Sequence, residues 1–315
     1  RMKTHRAWYS TTIETKEQID SFLKECTNYI KYSEVKPMYR GQADADWMIT
    51  SKFYRDFSKR FELPSVEDFS QLSKYLDGKR GELEATYREH HDSLIHDFIK
   101  ECWHNLGIQI THPKTPALPD TNFYLALAQH YDLPTNLIDV TYSPYIGLFF
   151  AFDYDDELDF ESEYVALYQT HPYNWQRQMS HIICERTHRY DECRAEWGEL
   201  TTEYNYYSKE LLMPRLSNMV YTYNTRIRNQ KGSFFFNKDA IPYDLMMYRM
   251  KEQFPYPENP ERRILINRSL KPYIVSILNG LNIKSETIYP STNADPMSAQ
   301  LQDSVKNLLA KYKDS

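Results

Sequence analysis

The sequence predicts an α+β fold in which a mixed sheet carries helical insertions. Three observations lead there. Short runs bounded by turn residues (Met38–Gln42, Asn136–Val140, Ser233–Phe236) have the length and composition of strands. Longer stretches with apolar residues three and four apart, above all Lys16–Tyr32, have the period of amphipathic helices. The two kinds do not alternate strictly, which separates the chain from a doubly wound parallel sheet.

The elements follow in order. Thr15 and Gln18 have the spacing of a capping box, and Ile19, Phe22, Leu23, Cys26 and Ile30 form one face of the helix Lys16–Tyr32. The strand Met38–Gln42 comes after Pro37. Val66–Leu106 reads as helix, with Gly78 and Gly81 predicting an interruption. Helix signal returns at Asn122–Tyr131 and is broken by Asp132-Leu133-Pro134, before a strand at Asn136–Val140. Ser143-Pro144 is a helix start, with Ser as N-cap and Pro in the first turn, and opens Pro144–Tyr154. Further strands are predicted at Glu163–Gln169, Met219–Tyr223, Ser233–Phe236 and Arg263–Asn267. A helix at Pro272–Leu278 is expected to end at Asn279-Gly280, and a last one to cover Ala299–Lys311.

Composition excludes several classes. In 315 residues, 41% hydrophobic and 26% charged, the chain has the profile of a folded protein. A net charge of −6 argues against nucleic-acid binding over the whole surface and leaves room for a local basic groove. The longest apolar run, Tyr145–Phe152, is too short to span a bilayer, so no membrane partner is expected. No signal pattern is present, and Met2, after Arg1, is expected to be the native start. Cys26, Cys102, Cys184 and Cys193 do not read as a disulfide framework, which points to a cytoplasmic protein. With 8 glycines there is neither a dinucleotide-binding fingerprint nor a P-loop in its usual form.

Three constellations have the chemistry of a site. Tyr39-Arg40-Gly41-Gln42 places a guanidinium on a strand beside a glycine that admits a backbone or a ligand, which suits an anion. An ion pair inside the fold would use the same arginine. Gln129 to Thr141 concentrates polar groups between two helices. There Thr135, Asp139 and Thr141 alternate on one face of an extended stretch, near His130 and Asn136. They suit ligand orientation or a proton relay, or equally a buried network tying strand to helix. Arg226 to Phe234 holds three cations, Arg226, Arg228 and Lys231, with Gln230 and Gly232 leading into a strand, a phosphate-contacting edge or a solvated loop. His181, Cys184, His188 and Cys193 match zinc spacing only loosely, so no metal is expected. The acidic run Asp153 to Glu163 lacks calcium-loop spacing and reads as a solvated loop.

The ordered motifs YRGQ…W…SKFYR, QHYDLPTNLIDVTYSPYIGLFFAF and RIRNQKGSF resemble the FRG-domain family. That family has an (F/Y)-R-G motif, a Q-H-x-G-x-P-T-R-L-L-D-W-T pattern and a later Q-x-G-x-F element. Ile277–Pro290 resembles the family's closing helix-turn-strand. The resemblance implies an FRG-like domain over residues 36–290 with helical insertions near 63–121 and 176–207. A helical segment over 2–35 precedes it and a helix over 291–315 follows. Asn136 stands where the family has Arg, Val140 where it has Trp, Asp132 where it has Gly and Gly147 where it has Ala.

The order of these motifs is also similar to ADP-ribosyltransferases, which implies an ADP-ribosyltransferase-like mixed sheet and NAD as a substrate. On that similarity Arg40 anchors a pyrophosphate, with Tyr39, Gly41 and Gln42 beside it. Gln129, His130, Thr135, Asn136 and Thr141 orient the ribose, and Tyr131 or Tyr145 stacks on a ring. Asp139 positions His130 or Thr135. Gln230 stands in place of the late Glu and brings no negative charge. His130, Asp139 and Gln230 are thus the expected catalytic set. The implied function is a bacterial NAD-using transferase or glycohydrolase in toxin or antiphage action, with a protein or nucleic-acid acceptor. The alternative is a non-catalytic module that binds a nucleotide or nucleic acid.

Overall fold

A computed structural model describes residues 8–32, 36–63, 69–112, 115–155, 157–170, 216–237, 240–245, 262–290 and 298–314. It is an α+β arrangement around a six-stranded mixed sheet. In chain order the strands are β1 (Tyr9–Ile13), β2 (Met38–Gln42), β5 (Leu137–Thr141), β6 (Tyr164–Thr170), β7 (Gly232–Phe236) and β8 (Arg262–Asn267). Their spatial order is β1-β8-β6-β2-β5-β7. Only the β1–β8 pair is parallel; the others are antiparallel. A separate two-stranded ribbon joins β3 (Thr111–His112) and β4 (Thr115–Pro119).

One face of the sheet is largely apolar across β8, β6 and β2. Tyr39, Val165, Leu167, Ile264 and Ile266 are buried there under α1 (Lys16–Tyr32), α5 (Pro144–Phe152) and α8 (Lys271–Gly280). The expected caps form as predicted. Gln18 accepts from the Glu14 and Thr15 amides while Thr15 accepts from Gln18. Ser143 accepts from the Ile146 amide. At the β5–β7 end, Leu137, Phe234 and Phe236 pack against α2 (Lys52–Arg60), α3 (Phe69–Lys100), α4 (Thr121–His130) and α10 (Ser298–Asp314). The opposite face packs Met38, Val140, Tyr168 and Phe235 against Trp8, Ile49, Ile241 and Tyr243. It also buries Arg263 and Asp244.

Several expectations need correction. The helix over the third predicted segment runs unbroken through Gly78 and Gly81 before a π turn at Glu101–Asn105. A Cβ at either glycine would meet nothing, so each costs only its propensity, about 1 kcal/mol. Tyr87, Leu94, Ile95 and Phe98 anchor the helix in the core against that cost. Met219–Tyr223, expected as strand, lies in the helix α6 (Asn218–Tyr223), followed by α7 (Thr225–Asn229). A short apolar run carries no period that could decide between the two. Gly280 stays inside α8, and the left-handed turn falls on Asn282 at φ 57°, where Ile283 N–H reaches the Leu278 carbonyl. The strand after Pro134 is displaced by one residue. The closing strand implied by the resemblance is instead the short helix α9 (Ser285–Ile288), and β1 and α2 had no counterpart among the predicted elements.

No helix among the described residues is long and apolar enough to cross a membrane. Cys26 and Cys102 are buried and free. Cys184, Cys193 and the loosely zinc-like spacing lie outside the described residues, as does the 176–207 insertion.

Candidate functional site

The cavity begins where two strands part. β2 and β5 share one registered pair, Tyr39 with Thr141. Arg40 is paired with Tyr168 on the other side, so it belongs to the face opposite Tyr39. Its guanidinium turns back and donates to the main-chain carbonyl of Asp139 at 2.7 Å. Its Nε is buried without a hydrogen-bond partner among the described residues. An unmade bond at a buried charged donor is costly, so this atom offers itself to a ligand.

Around Arg40 lies a cavity of about 180 Å³, open on one side. Four cations line it: Arg40, Lys52, Arg55 and Arg226. Two carboxylates do, Asp132 and Asp139. Thr50, Lys52 and Arg55 come from the start of α2, which Ser51 caps by accepting from the Tyr54 amide. Arg55 donates to the Thr50 carbonyl at 2.9 Å, and Lys52 to the Asp132 carbonyl at 2.7 Å. Arg226 lies over the Tyr289 ring, 5.0 Å from its centre. Among the described residues none of the four makes an ion pair within 4.0 Å, so no carboxylate is bonded directly to any of them. Burial pulls both the Arg40 and the Arg55 guanidinium below their ordinary pKa; the charge of Asp139 opposes the shift in each, alongside Asp56 at Arg55. Both remain protonated at neutral pH.

The polar wall opposite is braced from within. Thr135 donates to Gln129 Oε1 at 2.6 Å, and Gln129 Nε2 donates to Asp139 Oδ2 at 2.9 Å. The Thr135 hydroxyl also accepts from the Leu137 amide. A carboxylate oxygen is thereby fixed at the cavity wall by a chain of two hydrogen bonds. Thr141 donates to the Gln230 carbonyl at 2.7 Å and accepts from the Ser143 amide, joining β5 to the late motif and to α5. Gln230 lines the cavity, and its side-chain amide reaches the Ile288 carbonyl at 3.4 Å. Asp132 carries a φ of 64° and closes α4, with Leu133 N–H on the Ala128 carbonyl.

The expected site residues divide accordingly. Arg40, Gln129, His130, Asp139 and Gln230 line the cavity; Thr135 and Thr141 brace it from behind. Tyr39 is fully buried beneath α5, and Gly41 touches the α5 backbone. Gln42 is buried and donates to the Met48 carbonyl. Asn136 is buried, its amide on His91 and its carbonyl on the Asn237 amide. Tyr131 packs beside α10, and Tyr145 packs in the cluster under α5. The polar cavity residues outside the expected set are Thr50, Lys52, Arg55, Asp132, Asn224 and Arg226. The SKFYR and RIRNQ runs contained Lys52, Arg55 and Arg226; spacing alone could not show that they meet. Among the described residues no three His, Cys, Asp or Glu side chains are grouped to hold a metal ion.

With that geometry in view, comparison with known families is informative. The model of the FRG domain matches residues 36–160. The chain carries an FRG domain. The matched span supplies Arg40, Lys52, Arg55, Gln129, His130, Asp132 and Asp139, whereas Asn224, Arg226 and Gln230 of the same cavity come from beyond it. No curated protein and no solved structure matches the chain.

Proposed function

We propose that the FRG domain binds the phosphate-bearing part of a nucleotide in this cavity, with NAD as the first candidate. The observation that carries the reading is the convergence of Arg40, Lys52, Arg55 and Arg226 on one small space. Guanidinium forks and an ammonium suit phosphate oxygens, and a half-buried setting weakens solvent screening. The volume is below that of sites enclosing whole drug-sized ligands, about 300 Å³ and more. The cavity therefore takes a phosphate and its sugar and leaves the rest of the nucleotide outside.

Within that reading, Asp139 is the group suited to glycosidic chemistry. Cleaving the nicotinamide bond builds positive charge on the ribose, and a fixed carboxylate stabilises such charge. Gln129 and Thr135 hold Asp139 Oδ2 in place, so Asp139 takes the role that Gln230 cannot fill. The protein then acts as an NAD-using transferase or glycohydrolase, with a protein or nucleic-acid acceptor where transfer occurs, and toxin or antiphage action as its setting. One observation favours the second reading, a recognition module without chemistry. Gln230 is committed to Ile288 and Thr141, and serves as a brace at the position where a transferase needs its late Glu.

Purified protein incubated with NAD, with and without lysate, separates the two by mass spectrometry of nicotinamide and ADP-ribosyl adducts. Release that disappears in Asp139→Asn and Arg40→Ala supports the enzyme. Adducts distinguish transfer from hydrolysis. A nucleotide that raises the melting temperature without nicotinamide release supports the module. Absence of any nucleotide or phosphate binding overturns both.

A further inference from the structure

A second concavity lies away from the cavity, between the loop that follows α5 and the start of α8. It is an open groove of about 800 Å³ whose lining includes Tyr154, Leu158, Phe160, Pro272 and Val275. Its apolar surface continues to Trp47, whose ring centre is 6.1 Å from that of Phe160. Trp47 is 52% exposed, Leu158 56% and Val275 36%. Large side chains left in water side by side mark a contact surface more often than scattered ones do.

The groove is held in shape by the cations on its floor. Arg268 lies 3.8 Å from the Phe160 ring centre and donates to the carbonyls of Ser162 and Ala43. Lys271 lies 3.9 Å from the Tyr154 ring centre and donates to the Tyr154 carbonyl. These two cations are committed to the protein's own rings and carbonyls. The result is a row of ring and cation contacts through Trp47, Phe160, Arg268, Tyr154 and Lys271, with the half-exposed Trp47 at its end. A groove fixed in this way loses little conformational freedom when a partner docks.

The loop along one rim of the groove is acidic, and Glu161 and Glu163 of that loop line the groove itself. Every odd-numbered position from 153 to 163 is an exposed carboxylate: Asp153, Asp155, Glu157, Asp159, Glu161 and Glu163. The residues between them include the groove's Tyr154, Leu158 and Phe160. The acidic run that reads as a solvated loop in sequence therefore borders an exposed apolar surface.

We infer that this groove docks a short extended segment of another protein in which Lys or Arg alternates with large apolar residues. Its apolar side chains would cover Leu158, Phe160 and Val275. Its cations would meet the acidic rim, and one would pack on the exposed part of the Trp47 ring. A nucleic-acid strand would meet repulsion from the same rim, although Trp47 would suit a base. A second copy of the chain would bring the same negative rim to itself.

The test uses the full chain and a labelled peptide of alternating Lys and Leu, followed by fluorescence anisotropy at low and high salt. Saturable binding is expected, weakened by salt. Trp47→Ala should weaken it about tenfold, and the pair Asp159→Lys, Glu161→Lys by at least about tenfold. These residues are at the surface, so Tm should stay within a few degrees. Binding of inorganic phosphate at the cavity should be unchanged in both variants, which keeps this inference separate from the nucleotide reading. Several results would overturn the docking assignment: peptide binding unchanged by the charge reversal, preference for a labelled single-stranded oligonucleotide over the peptide, or self-association abolished by Trp47→Ala.

Discussion

Gly41 faces the backbone of α5, whereas Arg40, one residue earlier in β2, reaches into the cavity. The two adjacent residues of the family motif serve different tasks. Around Gly41 the sheet face is apolar from Ile13 to Ile288, and its requirement is close packing. Around Arg40 the face buries Arg263 and Asp244, and its requirement is to keep buried charge satisfied. The lesson is that the motif's glycine is explained by packing, whereas its arginine keeps a buried donor that the described residues do not satisfy.

The sharpest way to break that division is Gly41→Ala. The added Cβ would lie 2.1 Å from the Gly147 carbonyl oxygen and 2.4 Å from the Ala151 nitrogen. Both are helix backbone and neither can swing aside. A loss of at least about 3 kcal/mol is expected, seen as a Tm lower by roughly 10 °C. If ligand affinity falls while Tm holds, Gly41 serves the ligand after all. Gly147→Ala is the milder companion. Its Cβ would meet the mobile end of Leu167 at 2.8 Å and Tyr39 Cβ at 3.0 Å, for a cost of about 1 kcal/mol.

The charged face is tested by pH. Asp244 is fully buried and accepts from the Trp8 indole at 2.8 Å and the Ile49 amide at 2.6 Å. Burial pushes its pKa up to about 6, against the pull of those bonds and of Arg263 and Arg40. The folded state thus binds a proton that the unfolded chain has already released above its ordinary value near 3.8. Stability from this group is full below that value and falls as pH rises towards 6, by about 3 kcal/mol at most. Denaturant midpoints followed between pH 4 and 7 should show that decline in the native protein and its absence in Asp244→Asn. A variant that keeps the same slope would assign it to other groups.

The ligand side is best probed at Arg226, because its contact is a ring face and the fold does not depend on it. Arg226→Ala should weaken phosphate or nucleotide binding about tenfold, near 1.4 kcal/mol, with Tm little changed. Calorimetric titration decides it. A normal affinity would remove Arg226 from the site and return the RIRNQ run to a solvated loop.

How much of this was legible in sequence follows from the range of the interactions. Caps at Thr15 and Ser143 are written within four residues, and they form as read. Asp139 and Thr141 do share a face of β5, because period two is local, whereas Thr135 lies two residues before the strand begins. What spacing could not show is that Arg40 reaches across the gap between β2 and β5 to the main-chain carbonyl of Asp139, 99 residues away. Nor could it show that Lys52, Arg55 and Arg226 meet. Gly41 was legible as a point of close approach; that the neighbour is α5 depends on a helix beginning about a hundred residues later. The Gly78 and Gly81 interruption failed for the opposite reason. Local propensity was read correctly and long-range packing outweighed it.

The smallest expected effect lies at Asp132, where packing and ligand demands meet on one residue. Its φ of 64° is the left-handed turn that ends α4, a position the family fills with glycine. Aspartate tolerates that region better than most side chains. Asp132→Gly relieves the residual strain but adds freedom to the unfolded chain, so stability should change by less than about 1 kcal/mol. Asp132→Ala gains no such relief and should lose about 1 kcal/mol. Both variants remove one of the two carboxylates that line the cavity. The residue is exposed, so solvent screens the change, and anion affinity should rise only about twofold in each. Equal affinity gains with unequal stability would show that the charge acts on the ligand and the backbone angle on the fold. A gain in Gly alone would instead tie affinity to the turn's geometry, and the line drawn between Gly41 and Arg40 would not extend to the end of α4.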